Sequence, residues 1–142
     1  MRGDRLATLL RLRKMARDAA RQELTAAEEA CHQAGRIRDA AEAEIQRELQ
    51  SASAVERDDQ AVETFAAWLV AARRHLAGCT QACDAAEARL TEARATFTLA
   101  RQAVETIETA IAEHDQAMRS AEQRQEQKRL DEIPKSRRLR PI

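Results

Sequence analysis

Residues 83–107, which read CDAAEARLTEARATFTLARQAVETI, decide the fold of this chain. Apolar or small side chains recur there after alternating steps of three and four residues, from Cys83 and Leu90 to Phe97 and Val104. The same alternation extends outward from Val62 to Ala121, with His114 as its one polar member. A heptad pattern of this length predicts a long helix with one apolar seam that faces a partner helix.

The first half of the chain carries a looser version of the pattern, rich in alanine. Its spacing drifts between three and four, close to the 3.6-residue period of a plain helix. Small side chains let two helices approach closely, so this half suits the larger knobs of the second half. The predicted seam positions are Leu6, Leu9, Arg13, Ala16, Ala20, Leu24, Ala27, Cys31, Ala34, Ile37, Ala41, Ile45, Leu49 and Ala52.

The pattern is interrupted between residues 51 and 60, where we place a turn. Ser53 with Glu56 has the form of a capping box that starts a helix. Asp58 and Asp59 would then lie in the first helical turn, where the helix dipole favours acidic side chains. The alternative is one continuous bent helix that pairs with another molecule.

The composition supports an all-α, antiparallel two-helix coiled-coil hairpin with unequal helices. Only three glycines, two prolines and one tryptophan occur in 142 residues, and strong helix formers dominate. We predict a single hairpin over 1–133, with helix 1 over about 4–52 and helix 2 over about 59–133, and a basic disordered tail over 134–142. At about 1.5 Å per residue the second helix is the longer and would overhang the first, and the overhang would carry Ile111, Met118 and Leu130.

Charge is distributed unevenly, although the net charge is zero. Residues 1–21 hold seven basic and two acidic residues (net +5), and residues 135–142 hold four basic and none acidic (net +4). The intervening 22–134 therefore carries 13 basic and 22 acidic residues (net −9). The hairpin would have one basic end, but the acidic body and the lack of interleaved aromatic residues argue against nucleic acid.

The sequence offers no constellation typical of catalysis, so we predict that the chain is not an enzyme and needs no cofactor. It has no glycine-rich phosphate loop, and a long helix spreads its polar residues apart. Cys31, Cys79 and Cys83 all fall on seam positions, where small thiols fill an alanine-rich layer. Their spacing is not typical of zinc sites, so no metal is expected. No apolar run is long enough to span a bilayer, and we expect a cytoplasmic protein.

Phe65, Trp68 and Leu69 form the one aromatic cluster, just after the predicted turn. Phe65 and Leu69 fall on the seam and would pack the end of the hairpin. Trp68 falls beside it, and tryptophan commonly anchors interfaces. The cluster is therefore a candidate docking surface.

The chain resembles the flagellar export protein family FliJ, which is similar to the YscO-type stalk proteins of virulence secretion systems. The resemblance rests on Leu6-x-x-Leu9-Leu10-x-Leu12-Arg13-Lys14, on the uninterrupted helices and on the ending from Glu126 to Glu132. It implies a hairpin like that of the ATP synthase γ subunit. It also implies a location at the inner membrane's export apparatus, without insertion into the bilayer.

The resemblance further implies three kinds of partner. The paired termini would enter a hexameric, FliI-like export ATPase, the turn would contact an FlhA-like export gate protein, and export chaperones would be escorted. The ATPase-facing set would be Leu6, Leu9, Leu10, Arg13, Lys128, Leu130 and Asp131, and the gate-facing set Phe65, Trp68 and Leu69. Two other hypotheses are a self-associating coiled-coil scaffold and an amphipathic helix on a membrane surface.

Overall fold

The computed structural model describes residues 2–53 and 58–138, with side chains as far as residue 133. The described residues form two α-helices, α1 (Arg2–Ser53) and α2 (Asp59–Arg138), of 52 and 80 residues. They lie antiparallel, which confirms the predicted all-α hairpin with unequal helices. Helices of this length depend on tertiary packing of one face for most of their stability.

The start of α2 is fixed by Asp58 and not by the predicted capping box. The Asp58 side-chain Oδ1 accepts a hydrogen bond from the backbone N–H of Ala61 at 2.8 Å, the geometry of an N-cap. Ser53 is instead the last residue of α1, where its Oγ donates to the carbonyl oxygen of Gln50 at 2.9 Å. The capping-box prediction was therefore wrong at Ser53, and its partner Glu56 lies outside the described residues.

The far end of α2 differs from the predicted boundary. The helix continues past Ile133 to Arg138, into the segment predicted as a disordered tail. A proline φ angle is fixed near −65°, which is a helical value, so the backbone can continue through residue 134 with one hydrogen bond fewer. The remainder of the predicted tail, 139–142, lies outside the described residues.

The chain divides into two compact units, and each contains a segment of both helices. The turn unit is Asp18–Thr98, and the terminal unit is Met1–Arg17 with Leu99–Ile142. The core of the turn unit is made of small side chains with one isoleucine. Its buried members are Ala20, Ala41, Ile45, Cys79, Cys83 and Ala86. In the terminal unit the most buried side chain is Val104, which is 2% exposed.

The predicted seam of α2 is confirmed from Phe65 to His114, where each of its positions is buried or half-buried. It fails at both ends, because Val62, Met118 and Ala121 are exposed. Near the turn, Ala61 takes the inward position that was predicted for Val62.

Three seam positions predicted for α1 were wrong, those of Arg13, Ala16 and Ile37. Ile37 is 48% exposed and Arg38 is half-buried in its place. Ala16 is exposed, whereas Arg17 is half-buried. Arginine can occupy such a position because its aliphatic stem packs while its guanidinium group reaches solvent. At Ala16 and Ile37 the inward side chain is therefore the arginine one residue later, whereas Ala20 and Ala41 are buried as predicted.

Candidate functional site

The residues of the predicted ATPase-facing set on α1 lie partly in the seam and partly on the surface. Leu6, Leu9 and Leu10 are half-buried, so part of each side chain packs within the terminal unit. Arg13 is exposed, although it was counted as a seam position. Leu12 and Met15, outside the predicted set, are more than half exposed. This segment of α1 therefore presents apolar side chains beside basic ones.

The residues of the predicted ATPase-facing set on α2 lie beyond the described residues of α1. The terminal unit contains residues 2–17 of α1 and residues 99–138 of α2, or 16 and 40 described helical residues. The difference, 40 − 16, means that about 24 residues of α2 extend beyond the described start of α1, which is about 36 Å of helix. Between His114 and residue 133, where the described side chains end, only Ser120 is still half-buried. Lys128, Leu130 and Asp131 are all exposed, in the unmatched part.

Three large apolar side chains are exposed along this unmatched segment. Met118 is 53% exposed, Leu130 is 61% exposed and Ile133 is 51% exposed. We refer to Met118, Leu130 and Ile133 as the terminal apolar residues. The structure thus divides the predicted ATPase-facing set into two separate groups of residues. Its α1 leucines partly pack the hairpin, and its α2 members begin eight residues beyond Ser120, which is about 12 Å along the axis.

The aromatic cluster lies in a groove at the turn end of the turn unit. Phe65 and Trp68 stack with their ring centroids 5.8 Å apart and an angle of 28° between their planes. Both line a groove that Glu48 of α1 and Asp58 also line. We call this the turn groove. Phe65, Trp68 and Leu69 are half-buried, so Trp68 is less exposed than the outer-flank position predicted for it.

The three thiols are free and belong to the packing of the turn unit. Cys79 and Cys83 are buried, and Cys31 is half-buried. The Cys79 Sγ lies 3.6 Å from Nε2 of His75, one helical turn away. Within the described residues, no group of three or more histidine, cysteine or acidic side chains could hold a metal ion.

Charged side chains on the hairpin surface contact neighbours in the same helix and, in one described case, a ring on the other helix. The Arg38 guanidinium donates to Oδ1 of Asp39 from both Nε and Nη2, at 3.2 and 3.1 Å. This hydrogen bond and the charge of Asp39 raise the pKa of Arg38, which keeps its charge. Between the helices, the Arg21 guanidinium carbon lies 5.6 Å from the centroid of the Phe97 ring, a cation–π contact. His114 is half-buried, with its Nδ1 3.8 Å from Oδ1 of Asp115.

Two features of these surfaces were missed by sequence reasoning. Glu48 was not linked to the aromatic cluster, because its place in the turn groove depends on how α1 and α2 are aligned. Large apolar side chains off the seam were not foreseen as surface features either. They are Leu12, Met15, Val70 and Leu99, each more than half exposed. Their exposure could have been predicted, because each of them lies between the heptad positions in the sequence.

Two long antiparallel helices with open grooves and exposed apolar side chains define a coiled-coil hairpin. The comparison with protein families gives the same class and makes it specific. The family model described as "Flagellar FliJ protein" matches residues 1–140. The chain therefore belongs to the FliJ family, a family of non-enzymatic structural or adaptor proteins, and has a role related to flagellar export.

Neither the curated proteins nor the solved structures contain a match to this chain. In the described part of the chain, neither α1 nor α2 includes a stretch apolar enough to cross a membrane.

Proposed function

We propose that the chain is the coupling stalk of the flagellar export apparatus. Its termini insert into the hexameric export ATPase, and its turn contacts the export gate protein in the membrane. It performs no catalysis itself, and it also escorts export chaperones. It acts in the cytoplasm, at the inner membrane. Membership of the FliJ family supports a role in flagellar export. The exposed surfaces described below support the assignment of one partner to the termini and another to the turn.

The observation that carries this proposal is the unmatched end of α2. The terminal apolar residues Met118, Leu130 and Ile133 are each at least half exposed, on a part of α2 that extends beyond the described residues of α1. Exposed apolar side chains on an unpaired helix end are available to pack against another protein. A ring-shaped ATPase offers a central pore that a single helix end can enter.

The distribution of charge also supports the assignment of the termini as the contact with the ATPase. Residues 1–21 carry a net charge of +5, and residues 135–142 carry +4. Clustered charge of one sign steers association with an oppositely charged surface. We therefore expect the pore entrance of the ATPase to be acidic and the association rate to fall with added salt.

The proposal is tested with the purified export ATPase of the same bacterium. The wild-type chain should increase hexamer formation and ATP turnover when it is present at fewer than one copy per ATPase subunit. Leu130→Glu should require about tenfold more protein for half-maximal stimulation, because a charge then replaces an anchor. The matched control is Val70→Glu, which alters a side chain of similar exposure, 60%, in the turn unit.

Equal responses to the two variants would contradict the assignment of the terminal apolar residues. No stimulation by the wild-type chain would contradict the stalk function itself. Sedimentation velocity separates this function from the alternative, a self-associating scaffold. The stalk is expected to be a monomer alone, whereas a stable dimer would favour the scaffold.

A further inference from the structure

The turn groove combines aromatic surface with two carboxylates. Glu48 lines it from α1, and Asp58, Phe65 and Trp68 line it from the start of α2. Trp68, which stacks on Phe65, is half-buried, so part of its own ring surface is exposed. Negative charge and ring surface are therefore available to a single bound group.

The two carboxylates have different surroundings. Asp58 uses Oδ1 to accept the N–H of Ala61, which holds its side chain at the N-terminus of α2. Glu48 is an exposed residue of α1 and lines the groove from the other helix. A ligand between the helices would thus have a carboxylate on each side, one of them held in place by a backbone hydrogen bond.

The charge of the surrounding chain identifies the sign of the ligand. Residues 42–64 contain seven acidic residues and two arginines, a net charge of −5. Residues 1–21, in contrast, carry +5. An acidic partner or a nucleic acid would be repelled at the turn, and a basic one would be attracted. The acidic residues are Glu42, Glu44, Glu48, Glu56, Asp58, Asp59 and Glu63.

We propose that the turn groove binds an arginine side chain in a basic segment of a partner protein. The guanidinium group is planar, forms paired hydrogen bonds with carboxylates and stacks on aromatic rings. It is attracted to the face of tryptophan more strongly than to other rings. Glu48 and Asp58 pair with its N–H groups, and Trp68 takes its face. The inference rests on the proposed function only in that it gives the chemistry of the partner at the turn.

The experiment uses the intact chain and the fluorescence of Trp68, its one tryptophan. The probe is the peptide acetyl-Leu-Arg-Leu-amide, titrated at low salt. The comparison peptide contains citrulline, which keeps the planar shape but has no charge. We expect a saturable change with the arginine peptide and at least about tenfold weaker binding of the citrulline peptide, which loses both the ion pairs and the cation–π contact.

A surface variant tests the carboxylate without disturbing the fold. Glu48→Gln should weaken binding of the arginine peptide by about threefold to fivefold, the range of an exposed ion pair. The matched control is Glu87→Gln, which neutralises an exposed glutamate in a different groove of the turn unit, one that Cys31 and Leu90 also line. It should leave binding unchanged. Trp68→Leu, followed by anisotropy of a labelled peptide, should weaken binding by a similar factor.

Equal binding of the arginine and citrulline peptides would overturn the proposal, as would a fluorescence response that never saturates. Equal effects of Glu48→Gln and Glu87→Gln would place the binding elsewhere on the acidic surface and would overturn it too. Neither the export ATPase nor the gate protein is present in this assay. A negative result therefore leaves ATPase stimulation by the chain unaffected, and a failure of stimulation does not change the peptide result.

Discussion

The part of α2 that is paired with α1 and the unmatched part beyond it both carry apolar side chains, but only the paired part buries them. From Phe65 to His114 the seam positions are buried or half-buried, and Val104 is 2% exposed. Beyond them, Met118 and Leu130 are 53% and 61% exposed in the same continuous helix. Burial of an apolar side chain here depends on the presence of α1 opposite it and not on the helix itself.

This difference separates stability from function. The paired part gains its free energy from side chains that contact α1, because apolar burial contributes roughly 25 cal/mol per Å². The unmatched part retains its apolar surface for a partner molecule. Substitutions in the paired part should therefore change the free energy of unfolding, whereas those in the unmatched part should leave it nearly unchanged.

The largest effect is expected from charge at the centre of the paired part. Val104→Asp should lower the free energy of unfolding by about 3–5 kcal/mol, because the seam leaves the carboxylate without a partner. Met118→Asp, in the unmatched part, should lower it by at most about 1 kcal/mol through helix propensity. Urea unfolding at pH 7, followed by circular dichroism at 222 nm, measures both. Similar losses would show that residue 118 is also packed.

The next effect tests which face of α1 is inward. Ile45 is buried and Ile37 is 48% exposed, eight residues away in the same helix. Ile45→Ala should cost about 2–4 kcal/mol, because it leaves a cavity between the helices. Ile37→Ala should cost less than about 1 kcal/mol, since most of that side chain contacts solvent. Thermal and urea unfolding measure both variants. A larger loss of stability in Ile37→Ala than in Ile45→Ala would show that a different face of α1 is inward.

A smaller effect is expected at the boundary between the helices. Asp58→Ala removes the acceptor for the Ala61 N–H and should cost about 1 kcal/mol. Ser53→Ala removes a hydrogen bond within the last turn of α1 and should cost only a few tenths of that. Equilibrium unfolding measures both variants. An equal or larger loss at Ser53 would restore the capping box that the sequence suggested.

The smallest effect concerns the contact between Arg21 and Phe97 across the two helices. Arg21→Gln should lower the free energy of unfolding by about 0.5–1 kcal/mol, the strength of an exposed cation–π pair. A double-mutant cycle with Phe97→Leu isolates this contact from the packing of the ring. A coupling free energy of zero would show that the guanidinium group is only adjacent to the ring.

Much of the hairpin could be predicted because heptad spacing is a local property. The positions from Phe65 to His114 follow from counting residues, and the chain has no proline before Pro134 to interrupt them. Ile37 was assigned to the wrong face for the same reason. Steps of three and four are both compatible with a helix there, so hydrophobicity favoured Ile37, although the packing of α1 placed Arg38 inward.

The candidate surfaces could be predicted less completely. The aromatic residues of the turn groove were visible as a cluster in the sequence. Glu48 comes from the other helix, and its proximity to Trp68 depends on the axial alignment of α1 and α2. The roles of both surfaces in binding remain predictions for the experiments above.

The sequence by itself determined that the chain forms long helices with one apolar seam, because helix propensity and side-chain period are set by neighbouring residues. Only the tertiary structure decided where the seam stops being covered, which face of α1 is inward and which side chains share the turn groove. These features depend on the axial alignment of α1 and α2, a relation between residues far apart in the chain. Spacing within one helix cannot fix that alignment.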